Sequence, residues 1–550
     1  MGIVRSTKST GSTSRESIIT SMKRTWLHIY RYFPFFLVFS VILSSCGPLW
    51  GTNETPTAEA TEIVWTFTPP PPVLTQTPSP LPPTETATPT ETVTPTPVTP
   101  SPTRDPLATL PPLIVYYSQP GDTLQAVAAR FVVEVGLITS SVALPEPNRL
   151  LEPDTPLLIP NFLADTEISP SDIILPDSEL VFSPSAIDFD VRQFVVDAGG
   201  YLSSYTDYVG ITSIKDGIDS IVHSAEGWSI NPRLLLALTE YESGWVTGTP
   251  DNPAERDYPL GNIDILYKGL YKQLQWAAEE LSVGYYGWRA GTLTELSFKD
   301  GSRLRLAPGL NAGSAALLYF FSTYMTREQW EAVIDPDVGF PAIYTQMFGD
   351  PWVRARVVEP LYPPALVQPE LNLPFEKGQV WWLTGGPHSP WLGRGGWAAL
   401  DFAPGSVTGG CTDSIRWVLA SAPGLVVRSD TGVVVLDLDA DGYEQTQWAL
   451  LYLHIATKDR VKTGTWLEAD DRIGHPSCEG GLATGTHVHL ARKYNGEWIL
   501  ADGPLPFVLS GWTAHNGDAA YKGTMTRRER VSIADPNGRP YSAIERLNDE

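Results

Sequence analysis

Four of the five histidines in the stretch from Thr384 to Leu490, together with one aspartate, limit what this part of the chain can form. In Gly485-Thr486-His487-Val488-His489 the two histidines are separated by one residue. On a β-strand they would therefore lie side by side on one face. His388, Asp401 and His454 come earlier in the same stretch. Imidazole nitrogen and carboxylate oxygen are ligands that zinc takes in proteins, so the stretch predicts a zinc site.

Alternating apolar residues around these histidines predict strands. Val433 and Val435 are followed, after the turn sequence Asp439-Ala440-Asp441-Gly442, by Trp448, Leu450 and Tyr452. This order predicts antiparallel strands joined by a turn. Residues 371–530 are therefore predicted to form a mainly antiparallel β domain, and residues 531–550 a loose tail.

The histidine motifs resemble those of the β-lytic and lysostaphin-like zinc endopeptidases, family twenty-three of the metallopeptidases, over about residues 375–510. In the lysostaphin-like branch a ligand histidine stands four residues before the ligand aspartate, where this chain has Trp397. In the β-lytic branch the histidine stands farther upstream, with an aromatic and small residues before the aspartate. His388 and Asp401, thirteen residues apart with Trp397-Ala398-Ala399 between them, fit that second pattern.

This resemblance implies one zinc ion held by His388, Asp401 and His489, with His454 and His487 as catalytic residues. The implied activity is hydrolysis of peptide bonds in peptidoglycan, with the two catalytic imidazoles moving protons during attack by water. An alternative is a non-catalytic envelope protein that binds peptidoglycan or activates another hydrolase. Such proteins usually lose metal ligands, which this sequence retains.

The N-terminus has the features of an export signal. Lys23 and Arg24 precede the apolar segment 35–43, which ends in Leu43-Ser44-Ser45-Cys46. This arrangement resembles a bacterial lipobox, which implies that residues 1–46 are a signal peptide and that Cys46 carries lipid. An uncleaved anchor with an incidental cysteine is the alternative. The predicted location is the extracytoplasmic envelope, as a membrane-anchored lipoprotein.

Residues 47–112 are rich in proline and threonine and are predicted to be a disordered linker. Residues 113–162, through Tyr116-Tyr117-Ser118-Gln119-Pro120-Gly121-Asp122-Thr123-Leu124, resemble a LysM domain. The resemblance implies a small βααβ module that binds the glycan of peptidoglycan, with Gly121, Asp122 and Thr123 as candidate contacts. A structural module without glycan affinity is the alternative. A second linker is predicted over 163–189.

Residues 190–360 are predicted to be helical. Asn231-Pro232 has the form of an N-cap followed by proline at the first helical position. Thr326 and Gln329 predict a capping box. The segment 237–245 resembles the Glu-Ser segment of lysozyme-like lytic transglycosylases, which implies that Glu242 is a glycosidase acid. The alternative is a helix-end glutamate in a non-catalytic domain.

The remaining cysteines and the charge complete these expectations. Cys411 and Cys478 predict a disulfide in an exported protein, with a free thiol as the alternative. The formal charge of −24 argues against a nucleic-acid partner, because phosphate contacts need Lys and Arg. Tryptophans near the site are predicted either to wall a groove or to pack in the core: Trp381, Trp382 and Trp391. His475 is predicted to be structural.

Overall fold

The computed structural model describes residues 111–209, 213–363, 365–405 and 410–548. The predicted signal peptide with Cys46 lies outside these ranges, as does nearly all of the linker 47–112. Within the described ranges, no helix combines the length and the apolar character needed to cross a membrane.

The first described region is a small module of strands around one helix, bounded as β1 (Leu113–Tyr117), α1 (Leu124–Phe131), β2 (Thr139–Ser140) and β3 (Pro156–Pro160). β3 lies between β1 and β2. The Thr123 side chain caps α1 by accepting a hydrogen bond from the Ala126 N–H. The predicted second α-helix is instead a 3-10 turn, Val135–Leu137. Pro145 and Pro147 follow shortly after it, and a proline inside a helix cannot donate the backbone hydrogen bond.

A helical region follows, and the early part of it replaces the predicted linker 163–189. Leu175, Leu180 and Val181 are buried in its core, because apolar side chains in this segment have helices to pack against. The region contains α2 (Asp177–Leu180), α3 (Val191–Ala198), β4 (Thr206–Val209), β5 (Ser213–Asp216), α4 (Gly217–Trp228), α5 (Pro232–Ser243), α6 (Pro253–Asp257), α7 (Leu270–Ala290), β6 (Glu295–Ser297), β7 (Arg303–Arg305), α8 (Ala312–Ser322), α9 (Arg327–Val333), α10 (Phe340–Phe348) and α11 (Pro351–Val358).

Local capping signals set two of these helix starts. Asn231 caps α5 by accepting from the Arg233 N–H, with Pro232 as the first helical residue. Thr326 and Gln329 form a reciprocal capping box at the start of α9. Both starts were predicted from the sequence, because such bonds join residues only two or three positions apart.

The third region is a β domain. Its strands are β8 (Val380–His388), β9 (Ala399–Pro404), β10 (Val418–Leu419), β11 (Gly424–Asp430), β12 (Gly432–Asp437), β13 (Trp448–Ile455), β14 (Trp466–Leu467), β15 (Arg472–Gly474), β16 (Val488–Tyr494), β17 (Glu497–Trp498), β18 (Val508–Leu509), β19 (Trp512–Asn516), β20 (Gly523–Arg527), β21 (Arg530–Ile533) and β22 (Ala543–Glu545). The large sheet has the order β14-β11-β12-β13-β16-β9-β8-β22, with β17 paired to β16, and all its pairs are antiparallel.

The two faces of this sheet enter different cores. Ala399, Leu451 and Ala491 face the helical region and share its core. Their neighbours Leu400 and Leu490 face the opposite core of the β domain. This alternation follows from the two-residue period of a strand. The helical region therefore covers part of one sheet face, and that face also carries the candidate site.

The predicted tail 531–550 is ordered where the structure describes it. β21 pairs with β20, and β22 joins the edge of the large sheet by pairing with β8. Ile544 and Arg546 are fully buried. The Arg546 guanidinium donates to the carbonyl of Phe375 at 2.8 Å. The β22–β8 pairing and the Arg546 hydrogen bond join residues more than 150 positions apart, so the local composition of the segment did not reveal them.

Candidate metal site

Three adjacent strands bring His388, Asp401 and His489 together. β9 pairs with β16 so that Asp401 lies opposite His489. On its other side β9 pairs with β8, with Gly385 opposite Asp401 and irregular register between Gly385 and His388. A Cβ at Gly385 would lie 2.3 Å from Asp401 Oδ2, so the missing side chain admits the carboxylate. The bulged end of β8 then turns His388 toward the same point.

The three groups form a tight buried cluster. Asp401 Oδ1 lies 3.4 Å from His388 Nε2 and 3.1 Å from His489 Nδ1. The two imidazole nitrogens are 3.0 Å apart. All three residues are buried, at 1%, 6% and 3% exposure for His388, Asp401 and His489. Their ligand atoms fit within the span that a single metal ion requires.

Hydrogen bonds on the outer side of the imidazoles decide which nitrogen can bind a metal. His388 Nδ1 is 2.7 Å from the Gly386 carbonyl, and His489 Nε2 is 3.1 Å from the Pro390 carbonyl. A carbonyl only accepts, so in neutral rings these nitrogens carry the protons. His388 Nε2 and His489 Nδ1 then face each other as lone pairs. Such outer carbonyl bonds are typical of metal-binding histidines.

The Asp401 carboxylate is the third group that must suit a metal ion. Asp401 Oδ1 is buried and has no hydrogen-bond donor among the described residues. Two lone pairs and one orphaned anionic oxygen therefore converge where no proton lies between them. A cation is the group that stabilises this arrangement, and a set of two imidazoles and one carboxylate suits zinc with an open position.

His454 and His487 lie beside the cluster. Their ring centroids are 4.5 Å apart, and His454 lies 6.2 Å from the His489 ring. His487 Nε2 is 3.6 Å from Asp401 Oδ1. Carbonyl oxygens of Glu479 and Gly485 contact Nδ1 of His454 and of His487, at 2.9 and 2.7 Å. In each neutral ring this leaves Nε2 able to accept a proton.

The backbone of His454 is strained in a way that aims its side chain. Its φ is +62°, in the left-handed region that residues with a side chain rarely adopt. Leu453 before it packs into the core on the helical side. Ser477 holds the His454 carbonyl through its N–H at 2.7 Å and its hydroxyl at 3.0 Å. The turn departs from strand alternation and brings the imidazole toward His487.

Burial sets the protonation states in the cluster. Burial, with help from His487 and His489, lowers the pKa of His454 to about 3. Burial also lowers the pKa of His489. Burial alone would raise the pKa of the Asp401 carboxyl, but His388 and His487 hold it well below its usual range. These shifts favour neutral rings for His454 and His489 and an ionised carboxylate for Asp401, and neutral imidazole and carboxylate are the forms that bind metals.

Tyr521 also belongs to the site, and the sequence analysis missed it. Its ring stacks on the His388 imidazole with centroids 4.0 Å apart and planes at 22°. The Tyr521 N–H donates to the Pro387 carbonyl, and its own carbonyl accepts from the Gly386 N–H. The turn between β19 and β20 thus fixes the ring of His388. More than 130 residues separate the two, and no local motif marks the pairing.

The predicted disulfide Cys411–Cys478 is present and joins two loops near the histidines, with its Cα atoms 5.8 Å apart. The three tryptophans have different environments. Trp381 is buried in the β-domain core and Trp391 against the helical region, while Trp382 is only half-buried. His475 lies outside the cluster, with Nδ1 2.7 Å from the Arg416 carbonyl and its ring against Trp417.

The predicted glycan contacts of the small module face the protein interior. Asp122 and Thr123 are 1% and 7% exposed. Asp122 pairs with the buried Arg130 at 2.7 Å, and a Cβ at Gly121 would overlap the Arg289 side chain of α7. In this arrangement the three residues cannot contact a glycan, because the module packs against α7 through this turn.

Glu242 lies at the C-terminal end of α5, in a part of the sequence distant from the histidines of the metal site. Its Oε1 accepts a hydrogen bond of 2.6 Å from the Tyr324 hydroxyl. Gly261, at φ +85°, approaches the other oxygen so closely that a Cβ would lie 2.6 Å from Oε2. Burial raises the pKa of the Glu242 carboxyl to about 7, and only the Tyr324 hydrogen bond opposes this.

The fold of the β domain and the cluster of His388, Asp401 and His489 together define a metallopeptidase. The antiparallel sheet presents this buried metal-binding triad with two further imidazoles beside it. Comparison with known proteins supports this class. The chain is 28% identical over 310 residues to Protease LasA of Pseudomonas aeruginosa strain UCBPP-PA14, covering 53% of this chain and 69% of that protein. It is 26% identical over 158 residues to a beta-lytic metalloendopeptidase of Lysobacter enzymogenes, covering 28% and 85% of the two chains.

Two further similarities concern single regions. Residues 173–362 match the family model described as LasA, N-terminal domain, so this model covers the helical region. A solved structure of the M23 metalloprotease pseudoalterin is 22% identical, with a TM-score of 0.26, over 31% of this chain and 96% of that one. The two curated relatives confirm the prediction of an enzyme, and the chain is a metalloendopeptidase. The lysozyme-like and LysM resemblances stay predictions.

Proposed function

We propose that the protein is a zinc metalloendopeptidase that hydrolyses peptide bonds in peptidoglycan. The observation that carries this is the convergence of two imidazole lone pairs and the orphaned Asp401 oxygen in a buried site. In the proposal His388, Asp401 and His489 hold one zinc ion, and His454 and His487 are catalytic. The peptidoglycan substrate is proposed from the resemblance of the motifs to wall-degrading endopeptidases.

The chain's own residues supply the proton chemistry. Bound zinc would supply Lewis-acid polarisation of a peptide carbonyl and a lowered pKa for water. His454 Nε2, on a ring that is neutral at pH 7, accepts a proton from the attacking water. The same proton then passes from His454 Nε2 to the leaving amine, and His487 Nε2, beside Asp401, accepts a hydrogen bond from the attacking water and orients it. Tyr521 keeps the His388 ring in orientation by stacking on it.

Analysis of products released from purified peptidoglycan tests this function. The full chain, loaded with zinc, should release fragments with new amino termini and unbroken glycan strands. Chelation should stop the release, and added zinc should restore it. Fragments with new reducing ends and no new amines would contradict the proposal.

We further propose delivery to the cell envelope through lipid on Cys46, a proline- and threonine-rich spacer over 47–112 and a LysM-like module over 113–162. The support is the Leu43-Ser44-Ser45-Cys46 sequence after an apolar run. A fatty-acid analogue should label the wild-type chain in cells and not Cys46→Ala. Equal labelling of both would remove the lipid anchor from the proposal. Glycan binding by the module would need surfaces other than its buried turn.

A second candidate function is glycosidic cleavage with Glu242 as the acid. The observation in its favour is the carboxyl with a pKa of about 7, which remains protonated at mildly acidic pH. The product analysis separates the two activities, since glycosidic cleavage creates new sugar ends. Loss of those ends in Glu242→Gln, with unchanged release of amines, would support this candidate.

A further inference from the structure

A cavity of about 440 Å³ opens on the β domain near the metal site. Gln379, Val380, Trp382, Gly405 and Arg416 are among the residues that line it. No carboxylate occurs among the lining residues that the structure describes. The cavity thus combines an aromatic side chain with a guanidinium.

The sheet register places Trp382, at one end of the β8 segment that lines the cavity, next to the metal site and on the same sheet face. Trp382 of β8 pairs with Ala403 of β9, just beyond the pair of Gly385 and Asp401. Side chains two positions apart on a strand point to the same face. Trp382 and Ala403 therefore share the face of Asp401, displaced from it by about 7 Å, the rise of two strand residues.

The cavity also lies on the uncovered side of the site. Along β9 the residues on this face are Ala399, Asp401 and Ala403. Ala399 is fully buried in the core that the sheet shares with the helices, whereas Ala403 is half-buried and Gly405 is exposed. An extended chain that leaves the metal site away from the helices therefore passes Trp382.

Arg416 is available to a ligand. It is half-buried, and its guanidinium has no ion pair or hydrogen bond within the part of the chain that the structure describes. Its backbone is held at both ends, because its N–H donates to Ser414 and its carbonyl contacts His475 Nδ1 at 2.7 Å. In a chain with a net charge of −24, an arginine without a carboxylate partner in a concave site favours an anionic ligand.

The Trp382 indole is held in place as well. A Cβ at Gly405 would lie 3.5 Å from its Nε1, and a Cβ at Gly538 would lie 2.7 Å from its Cδ1. Both glycines thus allow the backbone to approach the indole closely. The cavity presents a fixed aromatic surface beside a guanidinium that has no partner among the residues that the structure describes.

We propose that this cavity is a substrate subsite for an acidic peptide residue, with a free carboxylate bound by Arg416 and its apolar stem packed on Trp382. An extended peptide advances about 3.3 Å per residue, so the acidic residue lies about two positions from the cleaved bond. Arginine binds carboxylates through paired hydrogen bonds, which gives geometric selectivity. The subsite rests on the proposed peptidase function and adds the class of peptide that the enzyme selects.

Paired peptides test the subsite in the full-length, zinc-loaded chain. They are built around the bond that the enzyme cleaves in peptidoglycan and carry Glu or Gln two positions away, on either side. On one side the wild type should prefer Glu by about tenfold in kcat/KM, mainly through KM, because the carboxylate makes charge-assisted hydrogen bonds in the bound complex that the amide does not. Arg416→Gln should abolish the preference, and Arg416→Lys should retain part of it.

The control is Arg303→Gln, which removes an exposed arginine from β7 and should keep the full preference. Zinc content and circular dichroism identify a misfolded variant. If the Arg416 variants misfold, the ratio of kcat/KM for the Glu and Gln peptides in the wild type alone decides whether the subsite exists. Equal cleavage of both peptides by the wild type, or a preference that survives Arg416→Gln, would overturn the subsite. If peptide-free glycan inhibits the wild type and Arg416→Gln relieves this inhibition, the cavity is a glycan site and the acidic-peptide subsite is overturned. Failure of the wild type to cleave any peptide contradicts the peptidase function instead.

Discussion

The metal site and the Glu242 carboxyl were both predicted from short motifs, but the structure surrounds them differently. At the metal site, side chains from β8, β9 and β16 converge, and backbone carbonyls orient every imidazole. Among the described residues Glu242 has one hydrogen-bond partner, Tyr324, and its shifted pKa comes mainly from burial of the carboxyl. A convergent set is difficult to explain by packing alone, whereas a single half-buried acid has a structural explanation as well as a catalytic one.

Because their surroundings differ, the metal site and Glu242 should respond differently to mutation. At the metal site, removal of one group leaves the others as unpaired lone pairs or a buried anion, so the effects should be large and specific. At Glu242, replacement by an isosteric amide keeps the packing and removes only the titration. Substitutions at the metal site should therefore have larger effects than substitution of Glu242.

The largest effect should come from His489→Ala. This variant should lose its zinc, measured by elemental analysis as a fall from about one ion per chain to nearly none, and activity should fall by at least about a hundredfold. His475→Ala is the matched control, since that histidine lies outside the cluster. Normal zinc content in His489→Ala would show that the convergent set does not bind the metal.

His454→Ala should keep the zinc and lose turnover. The imidazole lies beside the triad and not within it, and loss of a general acid or base lowers kcat by about 10²- to 10⁴-fold. Steady-state kinetics together with metal analysis would measure both quantities. If this variant loses zinc as His489→Ala does, the division between ligands and catalytic histidines is wrong.

A double variant, Cys411→Ser with Cys478→Ser, should have an intermediate effect. The bridge closes a separation of 67 residues, and removal of a disulfide costs about 2–4 kcal/mol of unfolding free energy. Urea unfolding under non-reducing conditions would measure the loss. Peptidase activity should fall because the bridged loops adjoin the histidines, while the pH response assigned to Glu242 should stay unchanged.

Glu242→Gln should have the smallest effect, confined to the pH dependence of stability. The folded-state pKa of about 7 lies above the usual glutamate value, so the folded chain keeps a proton that the unfolded chain releases. This contribution is complete below the unfolded pKa and is lost as pH rises through about 7, by on the order of 1–3 kcal/mol. Urea titrations between pH 4 and 8 should show a shallower decline in the variant. Identical profiles would show that Glu242 is not titrating in this way, and loss of amine release would place it in the peptidase reaction.

The sequence by itself determined what depends on near neighbours. The two-residue spacing of His487 and His489 and the alternation of Val433 to Tyr452 predicted strands, and Asn231-Pro232 and the Thr326–Gln329 pair predicted helix starts. Each rests on contacts within a few residues, which the order of side chains specifies. The candidate ligands could also be selected, because zinc accepts few side-chain types and the motif resemblance chose among the histidines.

Only the tertiary structure decided which distant groups meet. The stacking of Tyr521 on His388, the β22–β8 pairing that orders the predicted tail, and the packing of the Gly121 turn against α7 join segments far apart in the chain. The different environments of Trp381, Trp382 and Trp391 have the same origin. Such contacts form because each face of an element must bury its apolar surface against whatever the rest of the fold supplies, and local pattern carries no record of that partner.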